Sequence, residues 1–183
     1  MGKDSTSNIL YILGIIGAIM VIIDVAYGLM FIDTILAEGP SLIGRFLTGG
    51  GYVLVGVGFI GLYRDHQSYI PLTVPIMWVL VQVIGMAIGP LFGGGRNYVT
   101  MAMYTVTFLL MGYSVYLFRE PIGSFATLAS IIFIIWAFGL FAVRAMDLTM
   151  TDPLIFMIDW SGFLVVFVIA LIYFILLWRS ESS

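Results

Sequence analysis

Polar positions are so sparse along this chain that they divide it into six uninterrupted apolar stretches. These run Ile9–Ile32, Leu42–Tyr63, Tyr69–Phe92, Tyr98–Phe118, Ile122–Val143 and Leu154–Trp178, each 21 to 25 residues long. A hydrocarbon core of about 30 Å takes about 20 helical residues to cross. Lipid offers no water to backbone amides and carbonyls, so only helices and closed barrels cross it. Barrel strands are about ten residues long and alternate in polarity; these runs are longer and uniformly apolar. The pattern predicts an all-α fold, a polytopic bundle of six transmembrane helices with both termini on the same side.

Outside the spans lie only two tails and five short links. A soluble domain takes roughly 40 contiguous residues even when marginal. We therefore read residues 1–183 as a single transmembrane domain. Hydrophobic residues make up 62% of the chain and charged residues 9%, against about 25% charged in a soluble domain. The net charge of −3 is thinly spread, with no basic cluster to hold nucleic acid or anionic lipid. Cysteine is absent, which removes thiolate catalysis, disulfide exchange and iron–sulfur ligation. The first run carries Asp24 and no small-x-small cleavage site, so it is expected to be a retained span, not a removed signal.

An even number of spans puts Lys3, Arg64, Arg119 and Arg179 on the terminal side and Arg45, Arg96 and Arg144 on the other. The excess favours a multi-pass protein of the cell membrane with cytoplasmic termini. The tight links Arg64–Ser68 and Arg119–Pro121 predict antiparallel hairpins, and Asp33–Ser41 and Arg144–Pro153 are longer links. Gly39-Pro40, Pro90 and Gly93–Gly95 punctuate the chain, and Asp152-Pro153 reads as a helix N-cap followed by proline at the first helical position. Pro75 is expected to bend the third span.

Small and polar residues recur at helical spacing. The stripes are Gly14, Gly17, Val21, Asp24 and Gly28; Gly44, Thr48, Gly51, Val55 and Gly58; Pro75, Trp78, Gln82, Gly85 and Gly89; Thr100, Tyr104, Thr107, Met111 and Ser114; Gly123, Thr127, Ser130, Ala137 and Arg144; and Asp159, Gly162, Val166 and Ala170. Steps of three and four stack these residues on one face of each helix, and small residues let helices approach closely in lipid. The same faces could receive a second copy or a partner subunit. Gly56-Val57-Gly58-Phe59-Ile60-Gly61 fits the dinucleotide fingerprint by letter only, because that motif needs a strand before it and an aqueous pyrophosphate.

Charges inside spans are costly and usually face the bundle. Asp24 lies roughly 12 Å from the end of its span and Asp159 roughly 7 Å into its own, at 1.5 Å per residue. Alternating direction puts both, with Arg45 and Arg144, toward the side away from the termini; Gln82 is near mid-membrane. One reading is a set of ion pairs, Asp24 or Asp159 with Arg144 or Arg45, that fix helix register. The other is a polar cavity open to the non-terminal side and lined by Asp24, Asp159, Gln82, Arg144 and Tyr104; Arg45, near the end of its span, is a further candidate. His66, alone in a turn, supports neither haem ligation nor the usual histidine-rich metal site. No intramembrane histidine exists to activate a serine, and no acid spacing matches a metal motif, so no cofactor or metal is expected.

These residues support a small permease or channel for a small solute or ion. A non-catalytic scaffold or accessory subunit is the alternative, and an intramembrane enzyme using paired aspartates the more distant one. The lipid bilayer is the one partner the pattern requires.

Overall fold

A computed structural model describes residues 5–38, 41–66, 68–88, 98–120, 122–146 and 152–182. The helices are α1 (Ser5–Met30), α2 (Ile32–Glu38), α3 (Leu42–His66), α4 (Ile70–Ile88), α5 (Tyr98–Leu117), α6 (Ser124–Met146) and α7 (Pro153–Ser182). Five of them, α1, α3, α5, α6 and α7, are long and apolar enough to cross a bilayer. Their length and composition identify a membrane-spanning protein. The described α4 is shorter, 19 residues; the end of the expected third span, residues 89–92, lies outside the described residues. So do Gly39-Pro40, Pro90, Gly93–Gly95, Asp147 and the stripe residue Gly89.

Each long helix packs on its neighbours in the chain, and α7 returns to α1, so the six form a closed ring. Direction follows from the contacts. On α1 and α3, Tyr11 meets Gly61, Gly14 meets Gly58 and Gly17 meets Gly51, so the pair is antiparallel. Gly14 with Phe174 and Gly28 with Trp160 make α1 and α7 antiparallel as well. Gly56 packs on Pro75, and the Tyr52 ring stacks on Trp78, so α4 runs against α3. The helix continues through Pro75, whose ring finds room only because Gly56 has no side chain.

The α1–α3 seam is the most intimate. A Cβ at Gly17 would lie 2.6 Å from the Gly51 carbonyl oxygen and from the Val55 amide nitrogen. Both neighbours are backbone, so the helices touch main chain to main chain, as small residues permit in lipid. One end of the seam is tied by Asp65, which accepts hydrogen bonds from the Ser7 hydroxyl at 2.5 Å and from the Tyr11 hydroxyl. The other end is tied by Asp24 and Thr48.

Two local features depart from the sequence reading. The expected link Asp33–Ser41 begins as helix α2, which starts almost directly after α1 and buries none of its residues. Nothing between Phe31 and Glu38 breaks a helix: the hydrogen bonds Phe31 N–Tyr27 O and Ile35 N–Phe31 O carry the ladder across the join. Gly123, taken into the stripe of the fifth span, is instead a turn residue with φ of 68° ahead of α6. That left-handed conformation disfavours residues bearing a Cβ, and it lets the Gly123 amide close the turn onto the Arg119 carbonyl at 2.6 Å.

The start of α7 follows the reading. The Asp152 carboxylate accepts from the Leu154 amide at 2.8 Å and the Ile155 amide at 3.4 Å, with Pro153 as the first helical residue. Asp152→Ala frees both amides and should lower stability by about 1 kcal/mol, the usual worth of such a cap; the unfolding midpoint in detergent measures it.

Candidate functional site

Arg144 and Asp159 form a fork in the core between α6 and α7. Arg144 Nε donates to Asp159 Oδ1 at 3.0 Å and Nη2 to Oδ2 at 3.2 Å. Arg144 is 5% exposed and Asp159 fully buried. The guanidinium also lies over two rings, 4.9 Å from the Tyr104 centroid and 5.2 Å from Phe163. Bidentate geometry and ring faces are the conditions under which a buried arginine is best accommodated. One helical turn along, the Trp136 indole lies against Gly162, where any side chain would collide with it. Charge is balanced within this pair, so it acts as a latch between two helices.

Asp24 lies elsewhere. It is 7% exposed, on the α1 face that meets α3. Thr48 donates its hydroxyl to Oδ2, and Oδ1 rests against Gly44, where a Cβ would be 2.6 Å away. Gly44 belongs to the first turn of α3, which Ser41 caps by accepting the Gly44 amide at 3.0 Å. The partial positive charge of a helix start favours an anion there. Among the described residues no lysine or arginine reaches ion-pair distance of Asp24. Beside it opens a pocket of about 360 Å³ lined by Ile23, Asp24, Tyr27, Ser41, Ile43, Gly44 and Leu47.

The sequence-derived candidates thus fall into separate places. Arg144, Asp159 and Tyr104 come together. Asp24 takes Thr48, not an arginine, and the pocket beside it is not lined by Asp159. Gln82, half-buried, lies toward Gly49, with Oε1 3.6 Å from that residue's Cβ position. Arg45 is exposed on the first turns of α3 and does not line the Asp24 pocket.

Between these places the ring is filled by aromatic side chains. Tyr52 stacks on Trp78 at 4.3 Å and packs on Phe167 at 5.4 Å. Phe108 meets Trp78 edge-on at 5.5 Å and Phe163 at 5.7 Å. Tyr52, Trp78, Phe108, Phe163 and Phe167 are all buried. Tyr52 is the residue the sequence reading missed. Its signal was there: unlike the interfacial tyrosines, it sits mid-span inside the glycine run of α3.

No known protein family, curated protein or solved structure matches the chain.

Proposed function

We propose that the chain crosses the membrane six times, with α4 as the sixth crossing, and serves as a non-conducting bundle: an accessory or binding subunit, not a permease. The observation that carries this reading is the aromatic packing of the axis, where Tyr52, Trp78, Phe108, Phe163 and Phe167 are 0–4% exposed. Paths for polar solutes and ions are commonly marked by polar and ionisable groups facing the bundle interior. Here the Arg144–Asp159 pair neutralises itself in the core, and the pocket beside Asp24 is walled mainly by apolar side chains and is not lined by that pair.

The antiparallel pairing of α1 with α7 supports both termini on one side, and the excess of basic residues there supports a cytoplasmic side in the cell membrane. The paired-aspartate enzyme gets no support, since Asp24 and Asp159 bond to different helices. Any partner subunit or second copy is met outside the seams, because Gly14, Gly17, Gly51, Gly58 and Gly162 are occupied by this chain's own helices.

The test is flux. Liposomes carrying the purified protein should pass water, glycerol, Na⁺ and K⁺ no faster than protein-free liposomes in stopped-flow and ion-electrode assays. Protein-dependent flux of any of them would return the permease reading to first place.

A further inference from the structure

We infer that the pocket beside Asp24 binds the primary ammonium group of an amphiphile, whose apolar tail lies along the outer faces of α1 and α3. The inference goes beyond the non-conducting reading and stands whether or not liposomes carry flux. It begins with charge. Arg144 and Asp159 neutralise each other, whereas Asp24, 7% exposed at the edge of its pocket, has a hydroxyl and a helix start but no cation among the described residues. A carboxylate in an apolar span without a counter-charge is costly, and an arriving cation offsets that cost.

The shape selects the cation. Ile23, Ile43 and Leu47 give the pocket apolar walls, and Ile23, Tyr27 and Ile43 are all exposed at its outer side, so the opening faces laterally. A ligand reaches it from the lipid phase. The volume, about 360 Å³, is at the lower end of small-molecule sites and suits a head group with the first carbons of a tail. A metal ion would need several oxygen ligands, and no cluster of three acids or histidines exists among the described residues. A quaternary ammonium prefers a cage of aromatic faces, and among the described residues Tyr27 is the one ring lining this pocket. A primary ammonium needs acceptors for its N–H groups, and the Asp24 carboxylate supplies the charged one. Gly44 keeps the approach open by carrying no side chain against Oδ1.

An aminophospholipid head group and a free long-chain amine share this chemistry, and the experiment separates them. The full chain in dodecyl maltoside is titrated with dodecylamine, with dodecanol as the uncharged match, and the unfolding midpoint is followed. Dodecylamine should raise the midpoint while dodecanol does not. Asp24→Asn should raise the amine concentration for half effect by about tenfold, the worth of one charged hydrogen bond. Ile43→Trp fills the mouth at a site 73% exposed, leaves Asp24 in place and should abolish the shift; it decides the matter if Asp24→Asn does not fold. Native mass spectrometry then compares phosphatidylethanolamine with phosphatidylcholine of the same chains. Selective retention of the former by wild type alone assigns the site to a lipid head group. Equal retention with an intact dodecylamine response assigns it to a free amine. No response of the wild type to dodecylamine, an equal response to dodecanol, or an unchanged response in the variants overturns the inference.

Discussion

Arg144→Met should be among the most damaging single substitutions in this protein, lowering stability by about 3 kcal/mol. It removes the guanidinium that faces the fully buried Asp159 between α6 and α7. Removing one partner of a buried pair costs about 3–5 kcal/mol in soluble proteins. The lower end applies here because a chain unfolded in a micelle still finds partners for its polar groups. Arg144→Met with Asp159→Leu should recover most of the loss, since an apolar pair of similar volume fills the same space without a charge to bury. Unfolding by sodium dodecyl sulfate, read as a double-mutant cycle, measures the coupling. Losses that simply add would mean that the fork contributes nothing as a pair.

Gly17→Leu should be comparably severe, at about 3 kcal/mol, the upper part of the range for overpacking. The reason is what stands in the way: the Gly51 carbonyl oxygen and the Val55 amide nitrogen, both 2.6 Å from the new Cβ. A side chain can turn aside, but two backbones can only separate. Separation would also pull Thr48 from Asp24 at one end of the seam and Ser7 and Tyr11 from Asp65 at the other. Gly85→Ala is the matched control. No described neighbour lies within 4 Å of its Cβ position, and alanine exceeds glycine in helix propensity by about 1 kcal/mol, so that variant should be as stable as the parent or more so. Both are measured by the same unfolding assay.

The stripes of α1 and α3 were legible because lipid gives helices little reason to associate except close packing, and glycine at steps of three and four marks where that occurs. Val21, Val55, Val166 and Ala170, each placed on a stripe, are buried. The cap at Asp152 was legible because proline and an acidic cap each fit one helical position. What spacing could not give was partner choice. Asp24 and Asp159 look alike in sequence, each an acid on a small-residue face. Only the arrangement of helices decides that one meets a guanidinium and the other a threonine hydroxyl. Helix α2 was hidden for a related reason: Asp33 and Glu38 suggested a water-facing link, yet polarity breaks no helix, and none of its seven residues does. Tyr52 carried a cue in its mid-span position among glycines, but what it packs on shows only once the opposite helices bring Trp78 and Phe167 against it.

The return of α7 to α1 bears on how the molecule is made. A ribosome delivers these helices in order, and the last one supplies the counter-ion for Arg144, the indole that covers Gly28 and the phenyl rings that meet Tyr52. Until the thirty residues of α7 emerge, every earlier helix waits in an unsealed assembly with an orphan cation in it. A chain cut before α7 would therefore lose the closure of the ring and the partner of its core arginine, not merely one helix.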